Sequence, residues 1–231
     1  PASNYPTKLR NIARDLLRGR TEKIQLTIQR DDKKLDLPVQ RYESSRLNLA
    51  VDRAYKQPDT CFRMLNESIG YINLGNIKTD LLPTIFKTFS NTKGIVIDIR
   101  NYPSEFVVFS LGQYLYPAPK AFVKFTSGDI HYPGLFHWTD PIEVGTKNPD
   151  YYKGKVVILI NEITQSQAEY TTMAFRNAPN VTVIGSTTAG ADGNVSPFYL
   201  PGNMRTMISG IGVYYPDGKE TQRIGIVPDI E

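Results

Sequence analysis

One cysteine and two histidines are all that these 231 residues offer of the strongest metal-binding side chains. Cys61 by itself closes no internal disulfide and builds no cysteine metal cluster. Its neighbours Phe62, Met64 and Leu65 place it in a core. The cysteine count is neutral on compartment, since many exported bacterial proteins lack disulfides. His131 and His137 have no cysteine or acidic partner at ligand spacing, so no metal and no cofactor is expected. Long apolar runs are missing too, and nothing approaches the roughly 20 residues of a membrane helix. A basic stripe with interleaved aromatics is also missing. The net charge of +4 is scattered, with small clusters at Arg18–Arg20 and Arg30–Lys34. Solvated faces explain it better than nucleic acid does. There is no internal repeat and no low-complexity segment.

What is present reads as globular. Hydrophobic residues make up 40% and charged residues 22%, enough for one large domain or one domain plus a small module. The sequence opens on Pro1 and closes on Pro228-Asp229-Ile230-Glu231. A fragment or processed product, with its targeting segment upstream, is the expectation.

Residues 5–18 carry Leu9, Ile12, Ala13, Leu16 and Leu17 on one helical face. Two alternating segments follow, 24–28 and 35–39, and Asp31-Asp32-Lys33 between them predicts a hairpin. This piece is too small for a core of its own. Residues 43–60 read as a polar linker. Strands are then predicted at 69–74, 94–100, 156–160 and 181–184, and helices at about 78–90, 104–116 and from 165. Residues 118–153 read as irregular and turn-rich. Short strands fill most of the stretch from Ser196 to Val227, among them Met204–Ser209 and Ile211–Tyr215, with a turn at Pro216-Asp217-Gly218. Alternating strands and helices predict an α/β fold with a mostly parallel sheet and a short β-rich C-terminal part.

Ser166 falls where the apolar run Ile158-Leu159-Ile160 gives way, through polar residues, to a helical pattern. A serine there is read either as a helix cap or as a nucleophile at a sheet edge. The first helical turn leaves N–H groups unpaired beside it, and these can stabilise an oxyanion.

Four separated segments decide between those readings by resemblance. Gly94-Ile95-Val96-Ile97-Asp98-Ile99-Arg100-Asn101-Tyr102-Pro103 resembles the Asp-Leu-Arg-Asn-Asn-Pro-Gly-Gly strand end of the C-terminal processing (tail-specific) serine peptidases. Asn161 to Glu169 resembles their nucleophile segment, with Ser166 on its middle serine. Gly185-Ser186-Thr187-Thr188-Ala189-Gly190 resembles their Gly-x-x-Thr-x-Gly turn, and Gly225-Ile226-Val227-Pro228-Asp229-Ile230 their closing motif. The match covers about residues 61–231. Residues 5–42 resemble the last helix and hairpin of a PDZ domain. The implied division is 1–43, the C-terminal part of a PDZ-like module, and 44–231, the peptidase core.

The resemblance implies Ser166 as nucleophile and the backbone N–H of Gln167 as one oxyanion donor. The family's second donor follows the strand end, at a glycine pair that is Ser104 and Glu105 here. Many members carry a lysine base just past the Thr-x-Gly turn, and that position is Ala191. The tricorn-like branch uses a histidine ahead of the PDZ domain and an acidic residue that would fall at or near Gln222, with Glu220 close by. The base is therefore expected upstream of Pro1. Asp192, Glu162 and Glu169 are further polar groups near the site, and Glu169 suits the helix start. The implied partner is an extended or C-terminal peptide, or an unfolded protein, bound by strand addition. The Thr-Ala-Gly-Ala-Asp-Gly turn implies an exported enzyme of the bacterial periplasm or an outer-membrane lipoprotein. The other reading is a non-catalytic peptide- or small-ligand-binding module on the same fold.

Overall fold

A computed structural model describes residues 2–46 and 60–231, and most of the predicted linker, residues 47–59, lies outside them. The chain divides into two compact units, Leu9–Gln57 and Pro1–Lys8 with Pro58–Glu231.

Helix α1 spans Tyr5–Asp15 and runs from the larger unit into the smaller. The smaller unit then forms β1 (Lys23–Arg30) and β2 (Lys33–Gln40), an antiparallel hairpin. Its two-residue turn sets Asp31 and Asp32 at φ 49° and 62°. Both central residues are left-handed, the geometry that matches strand twist in a tight hairpin, and aspartate tolerates it through its short polar side chain. The hairpin prediction holds here. Nothing in the hairpin by itself identifies a PDZ domain.

The larger unit is built on β3 (Phe62–Asn66), β4 (Ile69–Asn73) and β5 (Gly94–Asp98). Helix α2 (Leu82–Thr88) lies between β4 and β5 in the chain. After β5 come α3 (Val108–Gly112), β6 (Lys120–Gly128), β7 (Phe136–Trp138) and β8 (Ile142–Val144). Strand β9 (Lys155–Ile160), α4 (Gln167–Arg176) and β10 (Val181–Gly185) follow, then β11 (Val195–Leu200), β12 (Met204–Ser209) and β13 (Ile211–Tyr214).

The central sheet runs in the order β10-β9-β5-β4-β3. Strands β10, β9, β5 and β4 are parallel, and only β3 is antiparallel. One face of these strands is fully buried and the other, with Tyr71, Val96, Val157 and Leu159, is half-buried, which favours apolar residues at successive positions. Ile72, Ile95, Ile97, Val156, Ile158 and Ile160 are all core residues. The closing Asp229-Ile230 segment attaches to β10: Val183 N–H donates to Asp229 Oδ2 at 2.7 Å, and Gly185 N–H to the Ile230 carbonyl at 3.0 Å.

Among the described residues the sheets are mixed, with few helices, so the expected mostly parallel sheet describes only the central strands. Antiparallel pairing joins β13, β6 and β7, adds β8 to β6, and forms β11–β12 as a separate hairpin. Three expectations of local structure need correction. The stretch 118–153, read as irregular, contains β6, β7 and β8. A register shift between Ala121 and Val123 puts Phe122 and Val123 side by side in the core, which breaks the two-residue period that marks a strand. The helix expected over 78–90 is a 3-10 turn, Thr79–Leu81, followed by α2. Pro83 suits that first turn because it needs no N–H donor there. The helix expected over 104–116 shrinks to the five residues of α3. Ser104 donates its N–H to the Leu74 carbonyl (3.0 Å) and its Oγ to the Ile77 carbonyl (2.6 Å). Glu105 takes the N–H and hydroxyl of Thr79, each at 2.8 Å. Those bonds, with Lys78, hold its carboxyl down at about 2. Residues 104 and 105 are thereby fixed to the segment after β4 and withheld from a helix.

Candidate active site

The site forms where β5, β9 and β10 end, beyond the carboxyl edge of the parallel strands, which is where open α/β sheets place ligands. Three chain segments are bolted together there by Thr164, which is fully buried. Its Oγ1 donates to the Ile99 carbonyl (2.9 Å) and accepts the Asn161 N–H (3.1 Å), and its own carbonyl accepts the Ala189 N–H (3.0 Å).

Ser166 immediately precedes α4 and adopts φ 54°, ψ −121°. A non-glycine residue with this backbone is strained by about 1–3 kcal/mol, and such strain persists only where the surroundings impose it. A sharp strand-to-helix turn of this kind lifts a serine hydroxyl out of the sheet edge. Two bonds impose it here. Ser166 N–H donates to Glu169 Oε2 (3.0 Å), and its carbonyl accepts the Tyr170 N–H (3.0 Å).

Glu169 is fully buried and takes four donors. Besides Ser166 N–H they are Thr188 Oγ1 at 2.5 Å, Gly190 N–H at 2.6 Å and Ala191 N–H at 3.0 Å. Burial pushes its carboxyl above the ordinary value, while all four donors pull the other way. Every one of them favours the ionised form. The residue does more than start a helix, because it staples the first turn of α4 to the turn 188–191. Gly190 is required in that turn: its φ is 62°, and a Cβ would lie 2.9 Å from the Arg223 carbonyl carbon. Ser3, Asn4 and Thr7 brace the turn from outside, donating to the carbonyls of Ala189 (2.5 Å), Thr188 (2.7 Å) and Ala189 (2.9 Å).

Ser166 opens on a cleft of about 560 Å³. Tyr102, Phe106, Phe125, Tyr170, Ile211 and Val213 supply its apolar lining, and Ser166, Gln167, Thr126, Asp192 and Asn194 its polar groups. Phe106 and Phe125 each stack on Tyr170, with ring centres 6.1 Å apart. Asp192 is 7% exposed. Its Oδ1 accepts the Gly193 N–H at 2.7 Å, and its Oδ2 has no hydrogen-bond partner among the described residues. Burial, and then the charge of Glu169, push this carboxyl up to about 7.

The other expected site residues fall as follows. Gln167 opens α4 and lines the cleft, and its side chain donates to the Glu105 carbonyl at 3.2 Å, tying the strand-end loop to the helix. Its own N–H belongs to the helix turn that lacks intrahelical acceptors. Ser104 differs from expectation, because its N–H is already bonded to Leu74 and points into the protein framework. Ala191, at the lysine position, donates its N–H to Glu169. Gln222 is a strut: its Nε2 donates to the carbonyls of Asp192 (2.9 Å) and Ile211 (3.1 Å), and its Oε1 accepts the Val213 N–H (3.3 Å). Glu162 accepts from Ser186 Oγ at 3.4 Å. His131 and His137 are exposed in the β6–β7 hairpin, where His137 pairs with Asp129 at 2.9 Å, and neither lines the cleft. The aromatic wall was missed in the sequence. Tyr170, one helical turn past Ser166, was the available signal.

Residues 68–231 match Peptidase family S41. This chain belongs to family S41. Its members are serine peptidases, so a peptide or protein is the substrate class of the family. The S41 chain resembles three solved structures in fold. A candidate peptidase from Parabacteroides merdae is 20% identical, with TM-score 0.66, over 73% of this chain and 56% of that one. Mature CPAF complexed with lactacystin is 15% identical, with TM-score 0.66, over 92% and 63%. The photosystem II D1 C-terminal processing protease is 15% identical, with TM-score 0.54, over 92% and 56%. The chain thus spans about 56–63% of the length of these structures. No curated protein matches it. No helix among the described residues is long and apolar enough to cross a membrane.

Proposed function

We propose that this S41 chain carries the core of a serine endopeptidase that cleaves extended or C-terminal peptides by acyl transfer. Ser166 is the nucleophile. Its Oγ bonds to the scissile carbonyl carbon, the amine leaves with a proton, and water then hydrolyses the ester. The Gln167 N–H is one donor to the oxyanion. A second comes from the strand-end loop that the Gln167 side chain holds, at a position other than Ser104, whose amide is engaged. The general base is a histidine outside this sequence, since position 191 is alanine. The observation that carries the reading is the strained backbone of Ser166 at the mouth of an aromatic cleft, in a segment that matches family S41.

The helix and hairpin of residues 1–43 are read as the end of a PDZ-like module, and 44–231 as the peptidase core. The Thr188-Ala189-Gly190-Ala191-Asp192-Gly193 turn supports an exported bacterial protein, periplasmic or lipid-anchored. Binding without catalysis is the second reading, favoured by Ala191 and by the engaged Ser104 amide.

Ser166→Ala in the full-length protein tests the choice, with denatured protein as substrate. Loss of hydrolysis by about three powers of ten or more is expected, with peptide binding kept. Hydrolysis unaffected by the substitution removes Ser166 as nucleophile. A native protein that cleaves no unfolded or C-terminal peptide moves the assignment to the binding module.

A further inference from the structure

We propose that the cleft beside Ser166 receives a cationic side chain, lysine or arginine, with Asp192 as its counter-charge. Three observations carry this. First, Asp192 lies in the cleft wall, 7% exposed, with one carboxylate oxygen bonded to the Gly193 N–H and the other bonded to nothing among the described residues. A buried carboxyl with an unfilled oxygen is unfavourable, and a ligand donor that reaches it from the cleft relieves that. Second, no lysine, arginine or histidine lines the cleft among the described residues, although the chain as a whole is +4. Among the described residues Asp192 is the one acidic group lining the cleft, and the nearby charge of Glu169 adds to its field without competing for ligands, because Glu169 already holds four donors. Third, the rest of the wall is aromatic. Tyr170 stacks with Phe106 and Phe125, and such rings favour the stem of a long basic side chain and the flat face of a guanidinium.

An aliphatic residue would fill the same volume and leave the Asp192 oxygen without a donor. A neutral polar residue would bond it without balancing its charge. A basic residue does both. The inference deepens the peptidase reading by naming its substrate class, and it rests on that reading only for the consequence in hydrolysis, not for binding.

The binding arm uses Nα-acetyl-arginine amide and its neutral isostere, Nα-acetyl-citrulline amide, with the Ser166→Ala protein. The Gly193 N–H, bonded to Asp192, is the NMR reporter. Arginine amide is expected to shift this resonance and to bind about tenfold or more tighter than citrulline amide. Asp192→Asn is expected to erase that preference, and unchanged resonances elsewhere in the central sheet verify its fold. Equal binding of the two amides, or no shift at Gly193, overturns the proposal. The hydrolysis arm compares peptides that differ only by arginine, citrulline or leucine at one position. A preference for arginine that Asp192→Asn abolishes supports the assignment. Equal loss on all three peptides, with arginine binding intact, makes Asp192 part of the chemistry and overturns it as a specificity group. Arginine binding without any hydrolysis leaves the proposal standing and counts against the peptidase reading alone.

Discussion

The turn 188–191 and the turn 192–194 are neighbours in sequence, and each frames a buried carboxyl. They treat it in opposite ways. The first aims a hydroxyl and two backbone N–H groups at Glu169, and the helix start adds a third N–H. The second gives Asp192 one N–H and leaves an oxygen without a donor among the described residues. A fully satisfied carboxylate fixes geometry, and here it fixes the strained backbone of Ser166. A half-satisfied one destabilises the fold, and its second oxygen is where the proposed cationic side chain binds. The difference separates framework from recognition within a few residues of chain.

The largest effect expected from breaking this contrast comes from Glu169→Gln. The amide keeps one oxygen and turns an NH2 group toward the donors of the other, so two of the four donors lose their acceptor. Destabilisation of about 3–5 kcal/mol is expected, read as a lowered midpoint in urea unfolding. A change below about 1 kcal/mol would mean that the turn holds Ser166 without Glu169.

Asp192→Asn is expected to act in the other direction, and only above acid pH. In the folded protein the carboxyl titrates at about 7, against an ordinary value of 3.8. Below the lower value both states are protonated. Between the two the unfolded chain holds fewer protons, so stability falls as pH rises, and it levels off above about 7. Glu169, Tyr170 and Tyr215 are the titratable groups that share this environment. The asparagine variant stays neutral throughout. Its stability is expected to exceed that of the native protein at pH 8 by up to about 3 kcal/mol and to match it near pH 4. Urea titrations at the two pH values check this, and an unchanged pH slope would assign the fall to another group.

Thr188→Ala sharpens the framework side with a smaller effect. The hydroxyl donates to Glu169 Oε1 at 2.5 Å and accepts the Ile226 N–H at 2.6 Å. Its loss is expected to destabilise by about 1–3 kcal/mol. Combined with Glu169→Gln the effect should be less than additive, because both remove the same bond. Strict additivity in that double-mutant cycle would show that the two side chains act separately.

Much of the fold was legible. The strands β4, β5, β9 and β10 announce themselves as short apolar runs, since one face is buried and the other half-buried. The Asp31-Asp32 turn and the strand–turn–helix junction at Ser166 follow from local chemistry as well. The elements that were missed are those in which tertiary contacts overrule the local pattern. Strand β6 hides behind a register shift, and α3 is cut short because Ser104 and Glu105 are bonded to the segment after β4.

The candidate site divides along the same line. Its serine, its glycine turn and its family membership are carried by short segments whose residues and order the chain states directly. That Glu169 collects donors from Thr188, Gly190 and Ala191, that the Ser104 amide is engaged by Leu74, and that a buried oxygen of Asp192 has no partner among the described residues are decided only in three dimensions. Hydrogen-bond satisfaction depends on which distant segments meet. Composition and periodicity report how much of a residue is buried, and they are silent about what it is buried against.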